Sequence, residues 1–325
     1  MPEPVLQVRD LATHFHVSGG VVKAVDGLDL DVEREEIVTI VGESGSGKSV
    51  TGLSIMGLIR APGRIVRGTI RFDDIDLRTL DERGLQAMRG SRLGMIFQNP
   101  FTSLHPYFRI GDQMIETIRL RGTHDRRAAV RRAVEVLERI GLDRPERALA
   151  SYTFEVSAGV CQRVMLAMAL LGEPDLLIAD EPTTNLDAVA QVQILDLIKE
   201  LRGALRMSVL LITHDFGVVS RMADRVVVMY AGRPAETGSA EEVLNDPRHP
   251  YSVGLINSVP VPGRKVDRLD QIPGEVPDVM RLPPGCSFRP RCPEAMSKCV
   301  EDPPSFAIAG RQRARCWLYD DRRST

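Results

Sequence analysis

The 325-residue chain contains no apolar run approaching the ~18 residues needed to cross a bilayer. Any membrane role is therefore expected to come through a partner. Its first residues, Met1-Pro2-Glu3-Pro4, lack the basic and apolar regions of a secretory leader, and none is expected. Charge is nearly balanced, with 42 Lys and Arg against 44 Asp and Glu, a formal net of −2. That gives no general electrostatic reason to bind nucleic acid or anionic lipid. Cysteine is scarce, at five residues, which is too few for a disulfide scaffold at this size. Four of the five fall between positions 286 and 316, a crowding that reads as a metal or cluster site in a reducing compartment.

What the chain does have is apolar material: 43% of its residues are hydrophobic, enough for a large core, and its length predicts a second domain. Its most informative stretch is Gly42-Glu43-Ser44-Gly45-Ser46-Gly47-Lys48-Ser49, which fits the phosphate-binding loop pattern. The β-branched run Ile37 to Val41 precedes it and a helix-like stretch, Val50 to Ile59, follows, so strand, loop and helix come in the order the motif needs. Glycines let successive N–H groups turn toward the β- and γ-phosphates, and the helix N-terminus adds its positive end. Lys48 would supply a point charge to those oxygens and Ser49 a hydroxyl ligand to Mg²⁺. A nucleoside triphosphate is the expected ligand.

Strand-like and helix-like segments alternate over roughly the first 240 positions. Leu6 to Val8, Val21 to Val25, Leu28 to Val32 and Gly68 to Phe72 predict an antiparallel β layer beside a nucleotide-binding core. Val130, Val134, Leu137 and Ile140 recur at helical spacing among charged residues from Arg126 onward, and Gly141 is a stop signal. Those charges read as a solvated face, not a binding patch. Helices are also expected over Val164 to Leu171 and Ala188 to Leu201, with buried strands at Leu176 to Ala179 and Val209 to Ile212 and a sheet that is parallel at its centre. Beyond Gly238, repeated prolines and isolated charges take over around one short helical piece, Tyr251 to Asn257, which places a domain boundary near Ala240. A second chemical site is the apolar strand ending in Asp180-Glu181. Asp180 can hold Mg²⁺ through its water shell, and Glu181 can polarise the water that attacks a γ-phosphate.

Taken together, these residues resemble the ATPase subunits of ABC transporters over nearly the whole chain. Gln98, after the apolar strand Leu93 to Phe97, is similar to the family's Q-loop glutamine, also a ligand of Mg²⁺. Glu181-Pro182-Thr183-Thr184-Asn185-Leu186-Asp187 resembles the catalytic glutamate running into the D-loop, and His214 resembles the switch histidine. The family's signature loop, Leu-Ser-Gly-Gly, reads Val156-Ser157-Ala158-Gly159 here. The resemblance gives Ser157 and Gly159 contacts to the γ-phosphate of a nucleotide on a second subunit. Ala158 departs from the pattern, at a cost only if its φ is positive or a phosphate comes very close. For the adenine-stacking aromatic, His14, Phe15 and His16 are the candidates, with Phe15 preferred.

The last third narrows the resemblance. His249-Pro250-Tyr251, Ile272-Pro273-Gly274 and the run from Pro284 to Pro293 are similar to the extension of oligopeptide and dipeptide permease ATPases, a group that includes nickel, glutathione and antimicrobial-peptide (Sap) transporters. Cys161 in the signature loop and the run Arg71 to Leu77 resemble the Sap branch. In this group, cysteines matching Cys286, Cys292, Cys299 and Cys316 are associated with a [4Fe–4S] cluster. By chemistry alone, four thiolates suit either an iron–sulfur cluster or structural zinc, and unpaired thiols remain the plain alternative. The spacing lacks the paired C-x-x-C knuckles of zinc ribbons, which favours iron. Cys161, apart from the others, reads as a small packing residue.

The resemblance thus implies an α/β phosphate-loop NTPase with an antiparallel β layer, a helical subdomain at about 99–165, a nucleotide-binding domain over 1–240 and a proline- and cysteine-rich extension over 241–325. The implied activity is hydrolysis of ATP, with Mg²⁺, driving import of di- or oligopeptides at the cytoplasmic face of the plasma membrane. Implied partners are a second, different ATPase subunit, two integral permeases docking between Gln98 and Ser157, and, indirectly, an extracytoplasmic solute-binding protein. Alternatives are another small solute, a soluble ABC ATPase acting in DNA repair or translation, and a nearly inactive regulatory subunit. The second usually shows coiled-coil insertions, paired cassettes or basic patches, none of which the sequence contains. Intact Lys48, Asp180, Glu181 and His214 count against the third.

Overall fold

The computed structural model describes residues 3–122, 125–259 and 271–320. By contacts the chain forms two compact units, Met1–Leu80 with Leu210–Thr325, and Asp81–Val209. In chain order, the first unit opens with β1 (Leu6–Val17), β2 (Gly20–Val32), β3 (Ile37–Val41), α1 (Lys48–Ile55), β4 (Gly63–Phe72) and the short β5 (Ile75–Asp76). The second contains α2 (Glu82–Met88), β6 (Leu93–Ile96), α3 (Pro100–Ser103), α4 (Ile110–Leu120), α5 (Arg126–Arg139), α6 (Pro145–Ala150), α7 (Ala158–Leu170), β7 (Leu176–Asp180) and α8 (Ala188–Leu205). The chain returns to the first unit within β8 (Ser208–Thr213), followed by α9 (Phe216–Met222), β9 (Arg225–Tyr230), β10 (Arg233–Ser239), α10 (Ala240–Asn245), α11 (Pro250–Asn257), β11 (Phe306–Ala307) and β12 (Arg313–Ala314).

The expected antiparallel layer is present as β2-β1-β4-β5. Its second strand is continuous where the sequence suggested two pieces, because Gly27 at φ 89° absorbs an irregularity opposite Leu11 and Ala12 without ending the strand. The other sheet of the first unit runs β11-β12-β10-β9-β3-β8. All five residues of β3 are buried, as suits a central strand covered on both faces, and it pairs in parallel with β9, Val38 opposite Arg225. In the second unit β6 and β7 are also parallel, Leu93 opposite Leu176, and α7 lies against β6. The sheets are therefore parallel at the pairs that carry the motifs, and the α/β class stands.

Helix ends follow local chemistry. Asp125 caps α5 by accepting from the N–H groups of Arg127 and Ala128, and Gly141 at φ 72° follows its end. The helix after the phosphate loop is shorter than expected, ending at Ile55, because Gly57 turns left-handed at φ 63°. α7 starts six residues earlier than the apolar pattern indicated, at Ala158, with Ser157 as its cap.

The boundary expected near Ala240 does not separate compact bodies. Tyr251, Phe288 and Val243 are buried in one cluster with Val226, Val228 and Tyr230 of β9, and β12 pairs with β10, Glu236 opposite Ala314. A proline-rich segment with few large apolar residues cannot bury a core of its own, so it borrows one. The carboxylate of Glu236, 1% exposed, holds the connection by accepting from the N–H groups of Arg248 and His249 and from Gln312.

Candidate nucleotide site and cysteine cluster

The phosphate loop spans the turn between β3 and α1. Two of its glycines are required by close backbone approach: a Cβ on Gly42 would lie 2.2 Å from the Met229 carbonyl oxygen, and one on Gly47 2.1 Å from that of Ala24. Gly47 also sits at φ 102°, where a side chain is strained, while Gly45, at φ 78°, has open space around it. Ser44 and Gly45 at the loop tip are exposed, and Ser49 is half-buried. The loop is tied down by Gly232 N–H donating to the Ser46 carbonyl at 3.0 Å. Lys48, 5% exposed, folds its ammonium back to donate to the carbonyls of Gly42 at 2.7 Å and Glu43 at 2.9 Å. This is a cradle of backbone N–H groups around a cation, suited to a polyphosphate.

Elsewhere in the first unit, Phe15 pairs with Gly63 across β1 and β4, and a Cβ on Gly63 would meet the Phe15 ring at 2.5 Å. The ring is thus half-buried over a glycine, whereas His16 is exposed and accepts from Arg64 Nε at 3.2 Å. His14 lies 3.5 Å from Asp26. His214 is exposed just beyond β8, where the next residue, Asp215, caps α9 by accepting from Gly217 N–H at 2.7 Å.

The second unit brings the other predicted residues together. Asp180 ends β7 with 5% exposure. Glu181 follows at φ 46°, a left-handed conformation costing on the order of 1–2 kcal/mol for a non-glycine residue. Such strain persists only where the surroundings impose it, and here two donors hold the side chain. Gln98 Nε2 donates to Glu181 Oε2 at 2.7 Å, and Thr184 Oγ1 donates to the same atom at 2.9 Å. Thr184 was not singled out from the sequence, although its place three residues after the glutamate was the available signal. Asp187 at the end of this loop caps α8, accepting from Val189 and Ala190 N–H.

The signature loop is regular. Ser157 is exposed and accepts from Val160 N–H at 3.3 Å. Ala158 is the first residue of α7 and is not among the positive-φ positions, so its methyl group meets no backbone penalty. A Cβ on Gly159 would find nothing nearer than 3.9 Å. Cys161 is fully buried beside the Thr153 carbonyl, as a packing residue should be, and burial pushes its thiol up to about 11.

Near the C-terminus, Cys286 N–H donates to the Cys299 carbonyl at 3.0 Å, an approach that leaves no room for a side chain on Gly285, whose Cβ would lie 2.4 Å from that oxygen. Cys299 and Cys316 are buried. Burial raises the Cys286 thiol and pushes Cys292 and Cys316 up to about 11, and Cys316 is raised further by charge on the other three sulfurs. The main chains of Cys286 and Cys299 are thus adjacent. Among the described residues, however, no group of three or more His, Cys, Asp or Glu is disposed to hold a metal ion, so the expected metal site has no ready-made ligand set.

Comparison with known proteins agrees with these features. Residues 25–184 match the family "ABC transporter", and residues 235–299 match "Oligopeptide/dipeptide transporter, C-terminal region". The oligopeptide transport ATP-binding protein AppD of Bacillus subtilis is 45% identical over 98% of this chain and 97% of its own length. OppD of the same organism, also an oligopeptide transport ATP-binding protein, is 45% identical over 97% of this chain and 88% of its own. Among solved structures, a dimeric ATP-binding cassette in a post-hydrolysis state with ADP and Pi superposes with a TM-score of 0.65 at 26% identity, covering 72% of this chain and 98% of that one. The phosphate loop, the paired Gln98 and Glu181 and the matched C-terminal region lead to one conclusion: the chain belongs to the ATP-binding proteins of the ABC transporter family, in the branch that carries the oligopeptide/dipeptide transporter C-terminal region.

Proposed function

We propose that this ATPase is the energy-coupling subunit of an importer of di- or oligopeptides. The observation that carries hydrolysis is the orientation of the Glu181 carboxylate by Gln98 and Thr184 at the end of β7. Glu181 would act as general base toward the attacking water, with Lys48 and His214 offsetting charge at the γ-phosphate. Ser49, Gln98 and Asp180 are the residues that would each offer an oxygen ligand to Mg²⁺, and the ion would supply positive charge to the phosphates. Gly42, Ser44, Gly45 and Gly47 provide the phosphate cradle and Phe15 the adenine contact, while Ser157 and Gly159 would serve the nucleotide of a second ATPase subunit.

Peptide as the cargo is supported by the near-full-length similarity to AppD and OppD and by the matched C-terminal region. No helix among the described residues is long and apolar enough to cross a membrane, so transport requires permease subunits. We place the chain at the cytoplasmic face, with a different ATPase subunit, two permeases and an external binding protein. The second unit exposes Phe101, Tyr107, Phe108 and Phe154, at 43%, 84%, 56% and 69%, which suits docking of permease helices. If a [4Fe–4S] cluster is bound, Cys286, Cys292, Cys299 and Cys316 would be its donors, and binding would have to draw them together, since the described residues form no ready-made metal-holding group.

The test is co-purification with its membrane partners and ATPase assay in vesicles. Stimulation by peptide-loaded binding protein, and not by nickel or glutathione, is expected. Stimulation by one of the latter instead would replace the cargo, and an ATPase that takes no membrane partner would overturn the transport reading.

A further inference from the structure

We propose that the C-terminal segment positions the phosphate loop, with Arg291 as the positioning residue and Glu43 as its contact on the loop; this rests on the loop being the ATP site. Glu43 occupies the first variable place of the motif, where phosphate chemistry makes no demand on the side chain. Yet both its side chain and its main chain are held from far along the sequence. Arg291 Nη1 donates to Glu43 Oε2 at 2.8 Å and Nη2 to Oε1 at 3.1 Å, a two-pronged pair. The Glu43 N–H donates to the hydroxyl of Tyr251, a residue with no exposed surface, at 2.9 Å.

The guanidinium is itself fixed. Arg291 is 6% exposed, its Nε donates to the Pro273 carbonyl at 3.0 Å, and Nη1 lies 3.4 Å from the Tyr230 hydroxyl. Tyr230, Tyr251 and Phe288 pack against one another with ring centroids 4.6 to 5.3 Å apart, so the donors and acceptors stand on a rigid aromatic base. A largely buried ion pair of this kind is seldom more stabilising than an apolar pair of the same volume. What the planar fork adds is orientation, because it accepts a carboxylate in one plane only.

Orientation at Glu43 reaches the phosphates through Lys48. The ammonium group of Lys48 donates to the carbonyls of Gly42 and Glu43, so the peptide that Arg291 and Tyr251 hold also sets where that charge rests. At its other end Arg291 belongs to a single turn, Arg289–Arg291, spanned by Arg289 N–H to the Cys286 carbonyl at 3.0 Å and Cys292 N–H to the Arg289 carbonyl at 3.3 Å. The backbone carrying two of the four clustered cysteines is therefore one side chain away from the phosphate loop. Coupling between two sites is reciprocal, so nucleotide binding must in turn steady the Cys286–Cys292 turn.

The experiment is calorimetric titration of MgATP into the full chain, with hydrogen exchange of the 286–292 peptide. Wild type binds and Lys48→Ala does not; a wild type that fails to bind sinks the ATP-site reading and this proposal with it, whereas a wild type that binds leaves the variants below to judge this proposal alone. Glu43→Gln and Tyr251→Phe, both mild enough to fold, are expected to weaken MgATP, the former by about tenfold, as for loss of a hydrogen bond to a charged group. Arg291→Met should match Glu43→Gln, Arg291→Lys should recover part of the affinity, and the double variant should be no weaker than either single one. MgATP should slow exchange of 286–292 in wild type and leave it unchanged in Glu43→Gln. Wild-type affinity in Glu43→Gln and Tyr251→Phe, additive losses in the double variant, or exchange in wild type indifferent to MgATP would each overturn the proposal.

Discussion

Gln98 Nε2 and Thr184 Oγ1 donate to the same oxygen of Glu181, at 2.7 and 2.9 Å. Two donors on one oxygen fix the carboxylate plane, and a carboxylate held in one plane is suited to accept a proton from an attacking water. Glu181→Gln should therefore keep MgATP affinity and lower turnover by on the order of 10²-fold or more, since an amide cannot take the proton. Gln98→Ala should reduce kcat by about tenfold with little change in KM, because the base remains but loses its aim. Nucleotide titration and steady-state kinetics check both, and unchanged turnover in Glu181→Gln would remove it from the role of base.

Much of the local geometry around the proposed nucleotide site was legible because it rests on short local patterns. Glycines that must admit the Met229 and Ala24 carbonyls, and a strand ending in Asp180-Glu181, are visible in a few consecutive residues. What stayed hidden depends on long-range packing. Nothing near Glu43 announces Arg291 or Tyr251, and the borrowed core under Phe288 made a segment that reads as a separate domain part of the first unit. The start of α7 was missed because Ser157 acts as a cap, which apolar periodicity does not register.

If the proposed cluster forms, the four C-terminal cysteines must act as a set, whereas Cys161 is buried in the second unit. Protein purified without oxygen should be brown, with about four irons per chain. Cys299→Ser should bleach it, and Cys161→Ser should leave colour and iron unchanged. Stoichiometric zinc in place of iron would reject the cluster and keep the site.

His249 gives the fold a pH dependence of known sign. Complete burial lowers its imidazole from the usual 6.5 to about 4, and its Nδ1 accepts from Tyr251 N–H at 3.0 Å, a cap that a protonated ring cannot make. Because the folded value lies below the unfolded one, the stabilisation is complete above pH 6.5 and drains away as pH falls toward 4, on the order of 3 kcal/mol in all. Melting temperature should drop more steeply over that window in wild type than in His249→Asn, which retains a capping oxygen without a titrating ring. Parallel slopes would show that the histidine does not carry the dependence.

If two different ATPase subunits form the pair, each nucleotide lies between the phosphate loop and glutamate of one chain and the signature loop of the other. Lys48 and Glu181 then work opposite the partner's signature, and Ser157-Ala158-Gly159 faces the partner's phosphate loop. In the free chain the Ala158 methyl group is harmless: it occupies the first position of a regular helix capped by Ser157, at a φ open to any residue. A penalty can therefore arise only where the methyl group meets the partner's γ-phosphate, displacing the N–H donors that stabilise its transition state. Ala158→Gly should lower the melting temperature of the isolated chain slightly, since glycine costs up to about 1 kcal/mol of helix stability. In the assembled transporter it should be neutral or mildly activating. Glu181→Gln should impair transport more than the equivalent change in the partner, as it disables the site served by the intact signature. Equal impairment by the two glutamate variants, or full transport by a homodimer of this chain with the permeases, would show that the two sites are equivalent.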